Sequence, residues 1–316
     1  MPPRQPRIDL LVLGDCNPDL ILAAEDVEPR FGQAERLVEK AELTIGGSGS
    51  IVACGAARLG LRTALAGIVG DDLFGRFMLQ ALADRGVETE AVVVDSSART
   101  GITVILERHG DRAMLTFPGT IGSLTAGAVS YQLLQSTRHV HVSSFFLQTG
   151  LAPALPELFA LARRAGASTS IDPNWDPAER WDGGLLALLP HTDVFLPNGE
   201  EAMRITQRGD PCSAARALAE YGPLVAVKLG SDGAVAARPG GDSTRVAPVG
   251  GVDPVDAIGA GDSFDAGVLA GLLSGEGVEQ AVSLGCACGA LSTQAAGGTA
   301  GQPTLSEALA AREALA

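Results

Sequence analysis

Positive charge is scarce in this chain: 23 Lys and Arg stand against 37 Asp and Glu, a formal net charge of −14. No basic patch emerges. That excludes a nucleic-acid or anionic-membrane partner, and any phosphate ligand must be held locally against an unfavourable field. Aromatic residues make up only 4% of the chain, so its 46% hydrophobic content is mostly Ala, Leu and Val. Such a composition can bury a sizeable core and suits a layered α/β protein. No apolar run approaches the roughly 18 residues of a membrane span, and residues 1–7 lack a signal peptide's apolar segment. The expectation is a soluble, cytoplasmic protein. Cysteine is sparse and odd in number: Cys16, Cys54, Cys212, Cys286 and Cys288 lie scattered, with no C-x-x-C pair or Cys/His cluster. They read as small core residues in a reducing compartment rather than as zinc ligands. No repeat of 20–50 residues or low-complexity tract occurs.

The stretch 256–267, Asp-Ala-Ile-Gly-Ala-Gly-Asp-Ser-Phe-Asp-Ala-Gly, carries the chemistry. Gly259, Ala260 and Gly261 make a tight turn, and from Asp262 onward Phe264, Val268, Leu269, Leu272 and Leu273 recur at helix spacing. A small-residue turn opening a helix aims free N–H groups and the positive end of the helix dipole at one point, which is an anion pocket. An acid in that same turn repels the ligand unless it has a task there. Phosphoryl transfer supplies one: the backbone donors hold developing charge while Asp262 takes the acceptor hydroxyl's proton. The helix N-terminus is expected to lower the Asp262 pKa, so the base acts by position. The competing reading is an ordinary helix start with an acid in its first turn.

Around this stretch the chain reads as strands and helices in alternation. Residues 8–14 form a buried strand, with Asn17 and Asp19 beyond it sharing one face of an extended segment. That pair suits the hydroxyls of a polyol, or equally an Asn-Pro-Asp turn. Residues 20–45 alternate apolar and charged positions, as short strands outside the main sheet would. Gly46-Gly47-Ser48-Gly49-Ser50 leads into a helix over 51–59, and the glycine pair lets the backbone approach a ligand closely. A strand over 63–69, a helix from Asp71-Asp72 to 82 and a strand at 92–94 follow. Residues 101–107 and 112–117 form a hairpin through His109-Gly110-Asp111. From Val140 the pattern is β-α-β: strands at 140–143, 168–171, 193–196 and 224–228, with helices over 156–165 and from Gly199. This implies a doubly wound, mostly parallel β-sheet with helices on both faces, whose ligands bind beyond the strands' C-terminal ends. The loops there hold Asp172-Pro173-Asn174-Trp175, then Asn198-Gly199-Glu200-Glu201 with capping-box spacing, then Lys228-Leu229-Gly230-Ser231-Asp232-Gly233. A hairpin over 234–237 and 244–247 and a helix over 278–291 complete the reading.

The motif Asp-x-x-Gly-Ala-Gly-Asp-x-Phe-x-Ala-Gly resembles the C-terminal signature of the ribokinase-like (PfkB) carbohydrate kinase family. Gly46-Gly47 followed by Ala56-Ala57-Arg58-Leu59-Gly60 resembles its N-terminal signature, and the matches run through nearly the whole chain. The resemblance implies one ribokinase-like kinase domain over 1–316, with a small β-sheet lid from about 18–45 and 100–118. It implies ATP along Lys228, Gly230, Ser231 and Gly233, with Gly298 near the adenine and Lys228 either touching phosphate or solvated. Asn198 and Glu201 would organise Mg²⁺ through waters, and Asp256 is a candidate K⁺ ligand, although Ala257-Ile258 replaces the family's usual Thr-Thr. Asn17, Asp19, Gly46 and Gly47 would grip the sugar. Asn174 belongs to a segment similar to one in fructose and 2-keto-3-deoxygluconate kinases. Ile51 stands where many members carry a sugar-binding Asn, which argues away from ribose.

The sequence thus reads as an ATP-dependent kinase acting on a hydroxyl of a sugar or sugar-like molecule. Asp262 is the base, and Gly259, Ala260 and Gly261 form the anion hole. A homodimer joined through the lid is expected, because exposed sheet edges pair between subunits. A nucleoside kinase of the same family is the alternative acceptor class. A non-catalytic sugar or nucleotide sensor would have no use for Asp262. A dinucleotide-dependent oxidoreductase would need G-x-G-x-x-G after the first strand, where the chain has Gly14-Asp15-Cys16-Asn17.

Overall fold

Leu10 and Val12 alternate with Leu11 and Leu13, and all four are fully buried, so the first strand must be covered on both faces. In the computed structural model, which describes residues 8–108 and 111–314, this strand is β1 (Ile8–Leu13). The reading of residues 1–7 as lacking an apolar leader, and the His109-Gly110 part of the hairpin turn, lie outside the described residues. The chain continues through β2 (Asn17–Ala23), β3 (Lys40–Gly46), α1 (Ser48–Arg58), β4 (Thr63–Ala66), β5 (Ile68–Gly70), α2 (Leu73–Asp84) and β6 (Val93–Asp95). The hairpin strands β7 (Ile102–Arg108) and β8 (Asp111–Phe117) follow. Next come α3 (Tyr131–Gln135), β9 (Thr137–Val142), α4 (Leu155–Ala165), β10 (Ser168–Ile171), α5 (Leu185–Leu188) and β11 (Val194–Phe195). Helices α6 (Gly199–Thr206) and α7 (Pro211–Ala219) lead to β12 (Leu224–Lys228). The antiparallel pair β13 (Ala234–Ala237) and β14 (Ser243–Val246) precedes α8 (Ala260–Leu273), α9 (Val278–Ser292) and α10 (Leu305–Glu313).

The main sheet runs β14-β13-β12-β11-β10-β9-β1-β4. It is parallel from β12 to β4 and antiparallel only at the β13 and β14 edge. One face packs Leu11, Leu13, Val140, Val142 and Phe195 under α4 to α7. The other packs Leu10, Val12, Leu65 and Ala226 under α1, α2, α8, α9 and α10. This is the expected doubly wound α/β fold. Strand order reverses at β1, which has β4 on one side and β9 on the other, so the loops after β1 and β9 open the crevice where such sheets bind ligands. A second, four-stranded sheet, β3-β2-β7-β8, stands apart from the first. No helix among the described residues is long and apolar enough to cross a membrane.

Some boundaries differ from the sequence reading. Helix α1 begins at Ser48, three residues early, because Asp15 caps it from another segment: its carboxylate accepts from Ser48 N at 3.1 Å and Gly49 N at 2.9 Å. The strand read over 63–69 breaks at Gly67. Its second half leaves the main sheet as β5 to pair with β6. Helix α8 starts at Ala260, which places Gly261 and Asp262 inside its first turn.

Candidate active site

Two glycine contacts bring the ends of the chain together. Gly259 adopts φ +71°, the left-handed region that glycine tolerates, and its backbone lies so close to Gly298 that a Cβ would stand 2.7 Å from Gly298 Cα. Ile51 packs its side chain against both residues. Buried and wedged there, it holds the 259–261 turn against the 297–298 loop. The acceptor-facing position inferred for it from the sequence is therefore corrected. Ala260 N–H turns back to Ala257 O at 3.3 Å, so of the three expected anion donors it is partly committed. The N–H groups of a helix's first turn have no intrahelical acceptor of their own, so the turn has the donors an anion would need.

Asp262 projects from that turn, half-buried. Its pKa is pushed up to about 7 by burial first, then by the charges of Asp172 and Asp15, while Lys228 and a hydrogen bond from Ser48 pull the other way. The expected lowering by the helix N-terminus is thus outweighed. Carboxylate oxygens of Asp172, Asp262 and Asp265 lie within 4.8 Å of one another. The cation among them is Lys228, whose Nζ donates to Asp172 at 2.7 Å and to both Asp265 oxygens at 3.1 Å. Lys228 therefore neither touches solvent freely nor reaches outward along the nucleotide loop. Burial opposes its charge, but Asp172, Asp265 and Glu201 hold its pKa well above the usual lysine value. Burial likewise opposes the charge on Asp172, yet Lys228 holds that carboxyl below its usual range. Asp265, fully buried, is raised well above it, by burial first.

The residues expected from the sequence to hold the acceptor gather at the switch point. A Cβ at Gly46 would overlap the Asp19 carboxylate, so any side chain there would displace that acid. Gly47 stands against Asn17 Oδ1 and the Asp15 carboxylate. Asn17 is buried with its Oδ1 unpaired, an acceptor without a protein donor. Asp19 is pushed up to about 7 by burial first, then by Asp15 and Asp262. Asn174 adopts φ +54° and donates to Ser48 Oγ at 3.2 Å and Ser144 Oγ at 3.1 Å. The structure therefore brings Asn17, Asp19, Gly46, Gly47 and Asn174 around the first turn of α1.

Asn198 caps α6 through a full capping box: its Oδ1 accepts from Glu201 N at 2.9 Å, and Glu201 accepts from Asn198 N at 2.8 Å. Asn198 Nδ2 donates to the other Glu201 oxygen at 2.6 Å, so both oxygens are engaged. The capping box read from the spacing has thus formed, and it occupies both Glu201 oxygens. Burial first, then Asp172, pushes its pKa up to about 7. Gly230 and Ser231 are exposed in a one-turn 3₁₀ segment after β12, and Gly233 closes that turn where Leu229 N meets its carbonyl at 2.9 Å. Asp256 accepts from Ile258 N at 2.9 Å and Gly297 N at 2.8 Å, and Arg112 of β8 lies 3.7 Å away.

Three participants escaped the sequence reading. Asp15 continues the every-second-residue series of Asn17 and Asp19, a strand-face signal that was there to be read. Asp265 sits three residues after Asp262, the spacing of helix-face neighbours. Arg112 carried no local signal, because its partner is 144 residues away in sequence.

The pfkB family carbohydrate kinase model matches residues 7–305. The 2-dehydro-3-deoxygluconokinase of Bacillus subtilis (strain 168) is 33% identical over 282 residues, covering 82% of this chain and 84% of that protein. The fructokinase of Klebsiella pneumoniae is 33% identical over 310 residues, covering 92% and 95%. The crystal structure of a PfkB protein from Polaromonas sp. JS666 superposes with a TM-score of 0.80 at 30% identity, over 96% of this chain and 99% of that one. With the family model matching residues 7–305 and relatives 33% identical over most of its length, the chain belongs to the pfkB family of carbohydrate kinases.

Proposed function

We propose that the protein transfers the γ-phosphate of ATP to a hydroxyl of a sugar or sugar-like small molecule, with Asp262 as the general base. The observation that carries this reading is Asp262 itself, a carboxyl raised to about 7 in the first turn of α8, beside the donors of Gly259 and Gly261. A base poised near neutral pH matches the proton it must take as the new bond to phosphorus forms. Backbone donors at the helix start stabilise the charge that develops on the transferring group. Asn17, Asp19, Gly46, Gly47 and Asn174 hold the acceptor, and the exposed Gly230 and Ser231 with Gly233 and Gly298 line the nucleotide. Lys228 serves as the counter-ion of the buried acids.

Mg²⁺ would neutralise nucleotide phosphate charge when bound. The site fits a contact through water: each Glu201 oxygen already accepts one hydrogen bond from Asn198 and keeps one lone pair. A monovalent cation at Asp256 fits poorly. Both its oxygens accept N–H groups, a guanidinium stands 3.7 Å off, and Ala257-Ile258 supplies no hydroxyl. Residues 1–316 act as one kinase unit with the four-stranded sheet as its lid, excluding water from the transfer. Its location is the cytoplasm, a reading supported by five unpaired cysteines, four of them buried.

The test is ATP consumption by the purified protein against sugars, keto-acid sugars, polyols and nucleosides, with Asp262→Asn alongside. Turnover with one class, reduced about 10²-fold or more in Asp262→Asn, is expected. Equal rates in both proteins would remove Asp262 from the mechanism.

A further inference from the structure

Both tryptophans of the chain lie in the loop after β10. Trp181 is buried, while Trp175 keeps 41% of its surface exposed. The two rings meet edge to face at 4.8 Å, Trp181 meets Phe146 at 5.9 Å, and Phe146 meets Phe145 at 5.3 Å. An aromatic ladder thus climbs from the core to one half-exposed indole.

The loop that presents it is strained. Asn174, Glu179 and Trp181, none of them glycine, have φ between 50° and 58°, as does Ser144 in the neighbouring loop after β9. Such strain concentrates at ligand sites. Two acids hold the conformation. Asp172 accepts from Asn174 N at 2.7 Å, and Asp176 accepts from Ala178, Arg180 and Trp181 N, each at 2.8 Å. Trp175 N donates to Asn174 Oδ1 at 2.8 Å, and Asn174 is itself tied to Ser48 in the first turn of α1. The backbone that carries the half-exposed indole is therefore tied to Asn174, and through it to the first turn of α1, while the ring itself rests on Trp181.

Charge narrows what can sit there. Asp15 and Asp19 wrap Gly46 and Gly47, and Asp262 faces them. The ammonium of Lys228 is committed to Asp172 and Asp265, and Arg180 of the same loop acts on Asp176. An anionic acceptor would meet three carboxyls; a neutral one would find donors, acceptors and a flat apolar ring.

We infer that Trp175 is a specificity-determining platform for the acceptor, and that the acceptor is an uncharged sugar resting a C–H face on the indole. This rests on the kinase reading above and deepens it. A rigid aromatic adds contact area at low entropic cost, and its loss is expected to weaken affinity up to about tenfold.

The experiment pairs fructose with 2-keto-3-deoxygluconate, a neutral and a carboxylated keto-sugar. ATP turnover and indole fluorescence are read in the wild type, Trp175→Ala and Trp175→Phe. Fructose should be preferred by about tenfold or more in kcat/KM. Trp175→Ala should raise its KM about tenfold with kcat within about threefold, and Trp175→Phe should recover most of the loss. The sugar-induced fluorescence change should vanish in Trp175→Phe. Preference for the acid sugar or for a nucleoside, an unchanged KM in Trp175→Ala, or a fluorescence change that survives in Trp175→Phe would overturn the inference. Absence of turnover with a fluorescence change that depends on Trp175 would sink the kinase reading while leaving the platform standing. No fluorescence response to either sugar would sink the platform.

Discussion

Asp262 occupies a helix's first turn, where the dipole alone would hold a carboxyl low, and yet its pKa is about 7. The sign of its effect on stability follows. Its folded pKa lies above the unfolded value near 4, so the native state grips that proton more tightly than the unfolded chain does. Folding is therefore penalised increasingly as pH rises from about 4 to about 7, and fully above that. Asp262→Asn should be more stable than the wild type by about 1–3 kcal/mol at pH 8, with the gap closing by pH 4. Urea unfolding at the two pH values reads this directly. A less stable variant at pH 8 would mean that native contacts favour the carboxylate. The address of this residue was legible in the sequence, because turn, helix and acid are local. The direction of its pKa was not, since Asp15 and Asp172 reach it from segments 247 and 90 positions away. Lys228 was misread for the same reason: its partners come from β10's end and from α8.

Elements were legible where local pattern and tertiary demand agreed. Residues 168–171 and 224–228 are short segments bounded by loops, ending in Ile171 and rich in Val respectively, and β10 and β12 match them to the residue. The α6 capping box was readable as chemistry, and it formed. Gly67 shows the opposite case. It breaks β4 from β5 because its backbone lies against Gly14 O, a contact that no local pattern encodes. Helix α7 was missed although Asp210 and Pro211 announce it as cap and first helical residue. Strand β9 began three residues earlier than read, since its start holds polar residues: His139 meets Ser168 at 2.6 Å and Ser170 at 2.7 Å, and His141 meets Ser170 at 2.7 Å. Burial lowers these histidines to about 4 and about 3. Both stay neutral in the fold, so their contribution is intact above about 6.5 and is lost as pH falls towards 4. Asp19, Glu201 and Asp262, raised to about 7, slope the other way in part of this range. The comparison must therefore be between proteins. Between pH 6 and 4.5, His139→Gln should lose stability less steeply than the wild type by about one proton, or ~1.4 kcal/mol per pH unit. Parallel pH curves would show that His139 takes up its proton in the folded state.

At the scale of the molecule, the four-stranded sheet has two unlike faces. Ladder register places Asp19, Thr44 and Thr103 together on one of them. Thr44 lies near Gly297, so this face covers the cleft. The same register stacks Leu20, Leu43, Val104 and Leu115 across all four strands on the other face, with Leu22, Leu106 and Phe117 beside them. None of these seven is buried, and Leu115 and Phe117 are more than half exposed. An apolar stripe this long on a solvent-facing sheet marks an interaction surface. A second copy of the chain would meet it with the same chemistry, through a two-fold, self-complementary contact. The β3 edge is guarded by a Lys40–Glu42 pair at 2.7 Å, whereas β8 exposes Met114, Leu115 and Phe117. The homodimer expected from the sequence would therefore be joined by the outer lid face towards β8. Light scattering should give twice the chain mass for the wild type at about 10 µM. Leu115→Glu, which places seven-residue stripe and charge face to face across the two-fold, should give one chain mass, with melting little changed because the side chain is exposed. A wild type that runs as a monomer, or a Leu115→Glu variant that stays dimeric, would move the contact elsewhere or remove it. A monomeric Leu115→Glu with raised KM would further tie the dimer to the cleft, since the strands that bury this face also carry Asp19 over the acceptor.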